Sequence, residues 1–221
     1  MIRALIFDFD GLILDTETPD LLAWQELYRE HGQALSAQTW GQIVGGTAAS
    51  DFEPVAHLEA LTGQRLDSPR LCARAREKSL AIIDQQPPLP GVLDYLEDGK
   101  QLGLKMAIAS SSTHEWVEGH LNRLGLFSYF DTIQAREDVL RTKPEPDLFL
   151  SALSTLNVRP EQAVVFEDSP NGVLAARRAG IFVVAVPNPL TSQLKFEGED
   201  LRLASLAERP LEGLLQQISR G

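Results

Sequence analysis

Ala4 to Phe7 form an unbroken apolar run, and Phe9 extends it between Asp8 and Asp10. A run apolar on both faces predicts an interior strand of a parallel sheet, covered by helices on both sides. From about Thr18 to Ile83 the spacing turns purely helical. TPDLLAWQELYREHG predicts a helix with Thr18 as cap and Pro19 at its first position. Leu22, Trp24, Leu27 and Tyr28 form its apolar stripe, and Gly32 is its stop. SAQTWGQIVGG predicts a short helix capped by Ser36. SDFEPVAHLEALTG predicts a helix from Ser50 to Gly63, with Pro54 in its first turn. DSPRLCARAREKSLAIID predicts a longer helix from near Asp67. The proline-rich QQPPLPG, residues 85–91, predicts a stiff joint.

Beyond that joint the pattern alternates. LKMAIAS (104–110), FDTIQA (130–135), AVVFED (163–168) and IFVVAV (181–186) read as strands. Helical stretches lie before, between and after them, at Val92–Leu102, His114–Leu124, Pro146–Leu156 and Asn171–Ala179. This alternation predicts an α/β fold with a doubly wound parallel sheet. RLASLAE reads as a short edge strand or a turn, and Leu211–Ile218 as a closing helix. Strand one and the next strand are about 90 residues apart, too far for a structureless loop in a compact domain. The helical stretch between them is therefore expected to be a second, smaller all-helical domain. The expected division is a Rossmann-like core of residues 1–15 and 88–221, with a helical cap of 16–87 inserted after the first strand.

Composition narrows the class. The chain has 221 residues, 43% of them apolar, and no apolar run near the roughly 20 residues of a membrane span. The formal charge of −11 argues against a nucleic-acid partner, which calls for a clustered basic surface. Cys72 is the only cysteine, so no internal disulfide forms, and a reducing cytoplasm is the expected location. Cys72 sits at helical spacing and reads as packing, and no export signal opens the chain. Oligomeric state is not legible.

The candidate chemistry lies at strand ends. Asp8 and Asp10 are two apart and start out on one side of their strand. Two like charges aimed at one spot raise one pKa unless a cation sits between them, although Asp and Gly also simply favour turns. Ser110, Ser111, Ser112 and Thr113 follow the second strand. A helix N-terminus there suits an anion, whereas capping alone needs just one such residue. Lys143, taken alone, reads as a surface lysine. Glu167 and Asp168 leave an apolar run as Asp8 does, and alone read equally as helix N-terminal charge. In a doubly wound sheet all of these converge at the carboxyl edge, where ligands bind. Four carboxylates with a hard divalent cation make an oxygen cage, and Mg²⁺ suits few carboxylates plus substrate oxygens. Phosphate monoester cleavage fits, because it needs charge neutralised on phosphoryl oxygens and a proton for the leaving group.

DFDGLILDTE, Ser110, Lys143 and EDS at 167–169 occur in an order that resembles the haloacid dehalogenase superfamily. The match is to its subfamily IA branch of phosphatases and β-phosphoglucomutase-like hydrolases with a helical cap. The resemblance implies Asp8 as nucleophile and Asp10 as general acid/base. It implies Ser110, Ser111 and Lys143 as phosphoryl-binding residues. It implies a Mg²⁺ site of Asp8, the main-chain carbonyl of Asp10 and Asp168, with Glu167 assisting directly or through water, and a cap that closes over a small phosphorylated metabolite. Thr16, Glu17 and Asp20 fall where core meets cap, and either touch the leaving group or cap a helix. Arg74, Arg76 or Lys78 would supply a basic cap residue.

Three alternatives stand beside a sugar- or polyol-phosphate phosphatase. A sugar phosphomutase of the β-phosphoglucomutase type carries a histidine where this chain has Asp20. It also carries an arginine near VGGTAAS, where none lies between Val44 and Ser50. A phospho-accepting receiver has a different chain order and no insert. The third is a catalytically silent phospho-ligand binding protein. The dehalogenase branch lacks the second aspartate, so Asp10 favours phosphate esters. The four histidines show no metal-ligand spacing and read as helix-surface or packing residues.

Overall fold

The structure, a computed structural model, describes residues 1–40 and 53–219. Six parallel strands form one sheet in the order β3-β2-β1-β4-β5-β6. They are β1 (Ala4–Phe7), β2 (Lys105–Ala109), β3 (Thr132–Gln134), β4 (Ala163–Glu167), β5 (Phe182–Ala185) and β6 (Leu201–Arg202). β1 is central, with Phe7 opposite Ile108 of β2 on one side and opposite Phe166 of β4 on the other. After β3 the chain returns past β1 to begin β4, so β1 and β4 flank the point where strand order reverses. That is where this class of sheet binds ligands.

Strand residues alternate between two buried layers, as an all-parallel sheet requires. Leu5, Phe7, Met106, Ile108, Val164 and Phe166 face α5 (Val92–Gln101), α6 (His114–Arg123) and α9 (Leu211–Ile218). Ala4, Ile6, Ala107, Ala109, Ala163 and Val165 face α7 (Asp147–Leu156) and α8 (Pro170–Arg178). The alanines on this second face leave room for α7, whose Leu148, Phe149, Ala152 and Leu153 are buried in the layer. The expected α/β doubly wound sheet is therefore present, with β6 the short edge strand.

Between β1 and α5 lie α1 (Glu17–Glu30), α2 (Ala37–Trp40), α3 (Pro54–Thr62) and α4 (Ser68–Ile83). They gather an apolar cluster of their own, including Leu21, Trp24, Leu27, Tyr28, Leu58 and Leu71, joined from the sheet side by Leu190. Ser36 and Asp67 accept backbone N–H bonds as cap residues of α2 and α4. The cap expected at Ser50 and the stretch 44–50 lie outside the described residues. Three details differ from expectation. α1 begins at Glu17, not Pro19, because Asp15 Oδ1 accepts the Thr18 N–H at 2.9 Å and starts the turn early. Leu21, three and seven residues before Trp24 and Tyr28, takes the inward face, and Leu22 is left 47% exposed. Cys72 is exposed rather than packed, since Leu71 and Ala75 form the inner face of α4.

Candidate active site

The segment after β1 folds into a tight loop. Phe9 O accepts the N–H groups of Leu12, Ile13 and Leu14, and Gly11 N–H donates to Leu14 O. Gly11 has φ +78°, and a Cβ there would sit 2.4 Å from Asp168 Oδ2 and 2.6 Å from Asn188 Nδ2. Only glycine lets the loop pass that close to the end of β4. Asn188 Nδ2 donates to Asp168 Oδ2 at 2.8 Å, and Asn188 Oδ1 is fixed by the N–H groups of Leu190 and Thr191.

Lys143 is buried between two acids. Its Nζ lies 2.5 Å from Asp8 Oδ1 and 2.6 Å from Glu167 Oε1. Glu167 Oε2 accepts the N–H and the hydroxyl of Ser169, each at 3.0 Å. Ser169 also caps α8 through Gly172 N–H. Lys143 therefore belongs to the site and not to the surface.

Asp8, Glu167 and Asp168 bring one carboxylate oxygen each within 4.8 Å of the others, all buried. Burial pushes the Asp8 carboxyl well up, and Glu167 and Asp10 add to it against the pull of Lys143. Asp168 is also pushed up, first by burial and then by Glu167, Asp8 and Glu17. Burial disfavours the Lys143 ammonium, but Asp8 and Glu167 together outweigh it, so the lysine is held above its ordinary value. Three buried acids against one lysine leave negative charge uncompensated. All-oxygen donors around that charge fit a hard divalent cation.

Asp10 turns from this cluster toward α6. Its Oδ1 accepts from Thr16 Oγ1 at 2.9 Å and from Trp116 Nε1 at 2.8 Å. Its Oδ2 accepts from Ser112 Oγ at 2.6 Å and more weakly from Ser110 Oγ at 3.4 Å. Thr16 occupies the N-cap position of α1 without capping it, because its hydroxyl goes to Asp10. Thr113 caps α6 by accepting Trp116 N–H, which leaves Ser110, Ser111 and Ser112 at the cavity.

The cavity has a volume of about 600 Å³ and lies between the strand ends and helices α1 and α4. Asp8, Asp10, Ser110, Ser111, Lys143 and Asp168 line its sheet side. Thr16, Glu17, Asp20, Arg76 and Ser79 line the other side. Glu17 is pushed up to about 8, by burial first and then by Asp10, Asp20, Asp15 and Asp8. Asp20 is raised by burial, against a hydrogen bond from Ser79. Arg74 and Lys78 do not reach the cavity. Arg74 pairs with Glu30 and Lys78 with Glu26, both on the outer side of α1, at 2.8 and 2.7 Å. Positions 74 and 78 share one helix face, and Arg76 lies on nearly the opposite one. Arg76 is thus the cation that α4 brings to the cavity. Sequence reasoning did not single out Trp116, Asn188 and Arg136. All but Asn188 line the cavity, and Asn188 braces Asp168 behind it.

The chain belongs to the haloacid dehalogenase-like hydrolase family, whose model matches residues 5–186. The Bacillus subtilis protein named "Putative phosphatase YhcW" is 46% identical over 219 residues, 99% of each chain. Fructose-1-phosphate phosphatase YqaB of Escherichia coli is 36% identical over 188 residues, covering 82% of this chain and 95% of that one. A crystal structure of a CbbY variant from Rhodobacter sphaeroides in complex with xylulose-1,5-bisphosphate superposes with a TM-score of 0.75. It is 30% identical in sequence and covers 97% of this chain and 99% of that one.

Proposed function

We propose that this protein is a phosphatase that hydrolyses small phosphate monoesters of sugar or polyol type through an aspartyl-phosphate. The observation that carries the reading is the Asp8–Lys143–Glu167 arrangement, with Asp168 beside it and Asp10 opening on the same cavity. The relatives named as phosphatases support it.

An Asp8 carboxylate oxygen attacks phosphorus and forms a new O–P bond. The ester P–O bond breaks, and Asp10 gives its proton to the leaving oxygen. Asp10 then takes a proton from water, which attacks phosphorus. The bond to Asp8 breaks, and the products are an alcohol and inorganic phosphate. Ser110, Ser111 and Lys143 hold the phosphoryl oxygens, and Lys143 carries its charge to them from a buried position. Asp8, Glu167, Asp168 and the Asp10 main-chain carbonyl would hold Mg²⁺. Bound there, the ion would supply positive charge to the phosphoryl oxygens.

We assign residues 16–87 the role of a cap over a core of 1–15 and 88–221, setting substrate choice through Glu17, Asp20 and Arg76. Phosphatase is favoured over mutase because position 20 presents a carboxylate held by Ser79 rather than a histidine. No helix among the described residues is long and apolar enough to cross a membrane, which is compatible with the cytoplasmic location we assign. A panel of phosphorylated metabolites, assayed with and without Mg²⁺, tests the reading. Phosphate release should require Mg²⁺ and fall at least about 1000-fold in Asp8→Asn, which keeps the shape but removes the nucleophile. Isomerised phosphosugar without released phosphate would establish the mutase instead.

A further inference from the structure

Among the described residues, Trp116 is the aromatic side chain that hydrogen-bonds Asp10, and neither the fold nor the ester chemistry calls for it. Its indole N–H donates to Asp10 Oδ1 at 2.8 Å. The ring is held on two sides. His120 packs edge-on against it with ring centroids 4.4 Å apart, and His120 in turn stacks on Phe9 at 6.3 Å. The Arg76 guanidinium of α4 lies over the indole, 6.0 Å from its centroid. Trp116 is in the first turn of α6, with its backbone N–H bonded to Thr113. The indole therefore has little freedom, and its donor is fixed in space.

We propose that Trp116 is a positioning residue that aims the Asp10 carboxyl at the leaving-group oxygen. This rests on the reading of Asp10 as the general acid. A carboxyl on a short side chain next to a tight loop has two rotatable bonds. Thr16 and Trp116 both bind Oδ1 while Ser112 binds Oδ2, so the carboxyl plane is fixed from both ends. The two hydroxyls rotate freely about their own C–O bonds and tolerate several carboxyl orientations. The indole N–H points along one line in the ring plane, so it is the donor with directional selectivity. A misaligned acid loses proton transfer in the transition state without losing substrate contacts.

This makes a claim about leaving groups. An alkoxide departs only if it is protonated, whereas a p-nitrophenolate departs without help. The ratio kcat/KM reports steps only up to departure of the leaving group, so the later hydrolysis of the aspartyl-phosphate does not enter it. Trp116→Phe keeps an aromatic ring against His120 and Arg76 and removes the donor together with the five-membered ring that carries it. In Trp116→Phe, kcat/KM for an alkyl phosphate such as glycerol phosphate should fall about tenfold. For p-nitrophenyl phosphate it should stay within about twofold. An equal fall for both substrates would overturn the inference, because general damage to the site does not sort substrates by leaving group.

Asp10→Asn separates this failure from failure of the underlying reading. It should show the same sorting more strongly. If it does not, the acid role of Asp10 falls and the inference falls with it. A second measurement does not depend on activity. The chain has three tryptophans, so its proton–nitrogen NMR spectrum holds three indole N–H peaks, and Trp116→Phe identifies one of them. Asp10→Ala should move that peak upfield. A peak that stays in place would show that the hydrogen bond does not exist in solution and would overturn the inference.

Discussion

Glu17 shows how a single side chain records the character of this site. It stands in the first turn of α1, where a helix dipole favours a carboxylate, yet its pKa is pushed up to about 8. Burial is the main cause, and Asp10, Asp20, Asp15 and Asp8 supply the rest. In the unfolded chain the same group sits near 4.5. Folding therefore takes up a proton, and the sign of the linkage follows. The group costs nothing below about pH 4.5, and its cost grows as pH rises toward 8, where the folded protein must ionise it. Glu17→Gln removes that cost. In metal-free buffer the variant should melt with the parent near pH 5 and above it at pH 8.5, by about 1 kcal/mol, or some 2–4 °C. Parallel melting curves from pH 5 to 8.5 would show that Glu17 is not a strained acid. The same residue lines the cavity, so an acid that is costly to stability stands at the candidate site.

At the level of elements, the joint between insert and sheet is held by one side chain from α6. Arg123 donates through Nη1 to Asp84 O and Gln86 O and through Nη2 to Ile83 O, each at 3.1 Å. Leu89 N–H donates to Ile13 O at 2.9 Å, so the chain leaving the insert runs beside the chain entering it. Arg123→Ala should lose about 1–3 kcal/mol, since three carbonyls at a helix end lose a charged donor. Limited digestion with a nonspecific protease should then cut first within residues 84–91. Unchanged stability and an unchanged cleavage pattern would show that the proline-rich segment is stiff unaided. This contact leaves no local mark in the sequence, because Arg123 and its acceptors are about 40 residues apart. The same limit explains Trp116 and Asn188, which reach Asp10 and Asp168 through bonds of purely tertiary origin. By contrast, β1, β2, β4 and β5 announced themselves, because a strand buried on both faces must be apolar throughout. The strand-end acids were legible for the same reason, as polar residues abutting such runs. Arg74 and Lys78 were misplaced because three cations on one helix cannot be told apart until the helix is docked against α1.

Over the whole molecule, the sheet concentrates acid at one edge in a chain already carrying −11. Asp8, Glu167 and Asp168 sit together with Lys143, their single buried cation among the described residues, and Asp8 and Asp168 are both pushed up. The fold thus bears a destabilising charge that a divalent cation would relieve, and binding to the folded state alone raises stability by mass action. Mg²⁺ at about 100 times its dissociation constant should contribute about 2.7 kcal/mol, or roughly 5–10 °C in melting temperature. Sodium chloride at equal ionic strength should contribute little, because screening acts weakly on buried groups. Asp168→Asn separates a specific site from diffuse charge. It removes one repelling carboxyl, so the metal-free variant should melt at or above the parent temperature, while its response to Mg²⁺ should largely disappear. A variant that keeps the full Mg²⁺ response would place the cation elsewhere on the acidic surface. The edge of the sheet would then be strained for some purpose other than holding a metal beside the phosphoryl group.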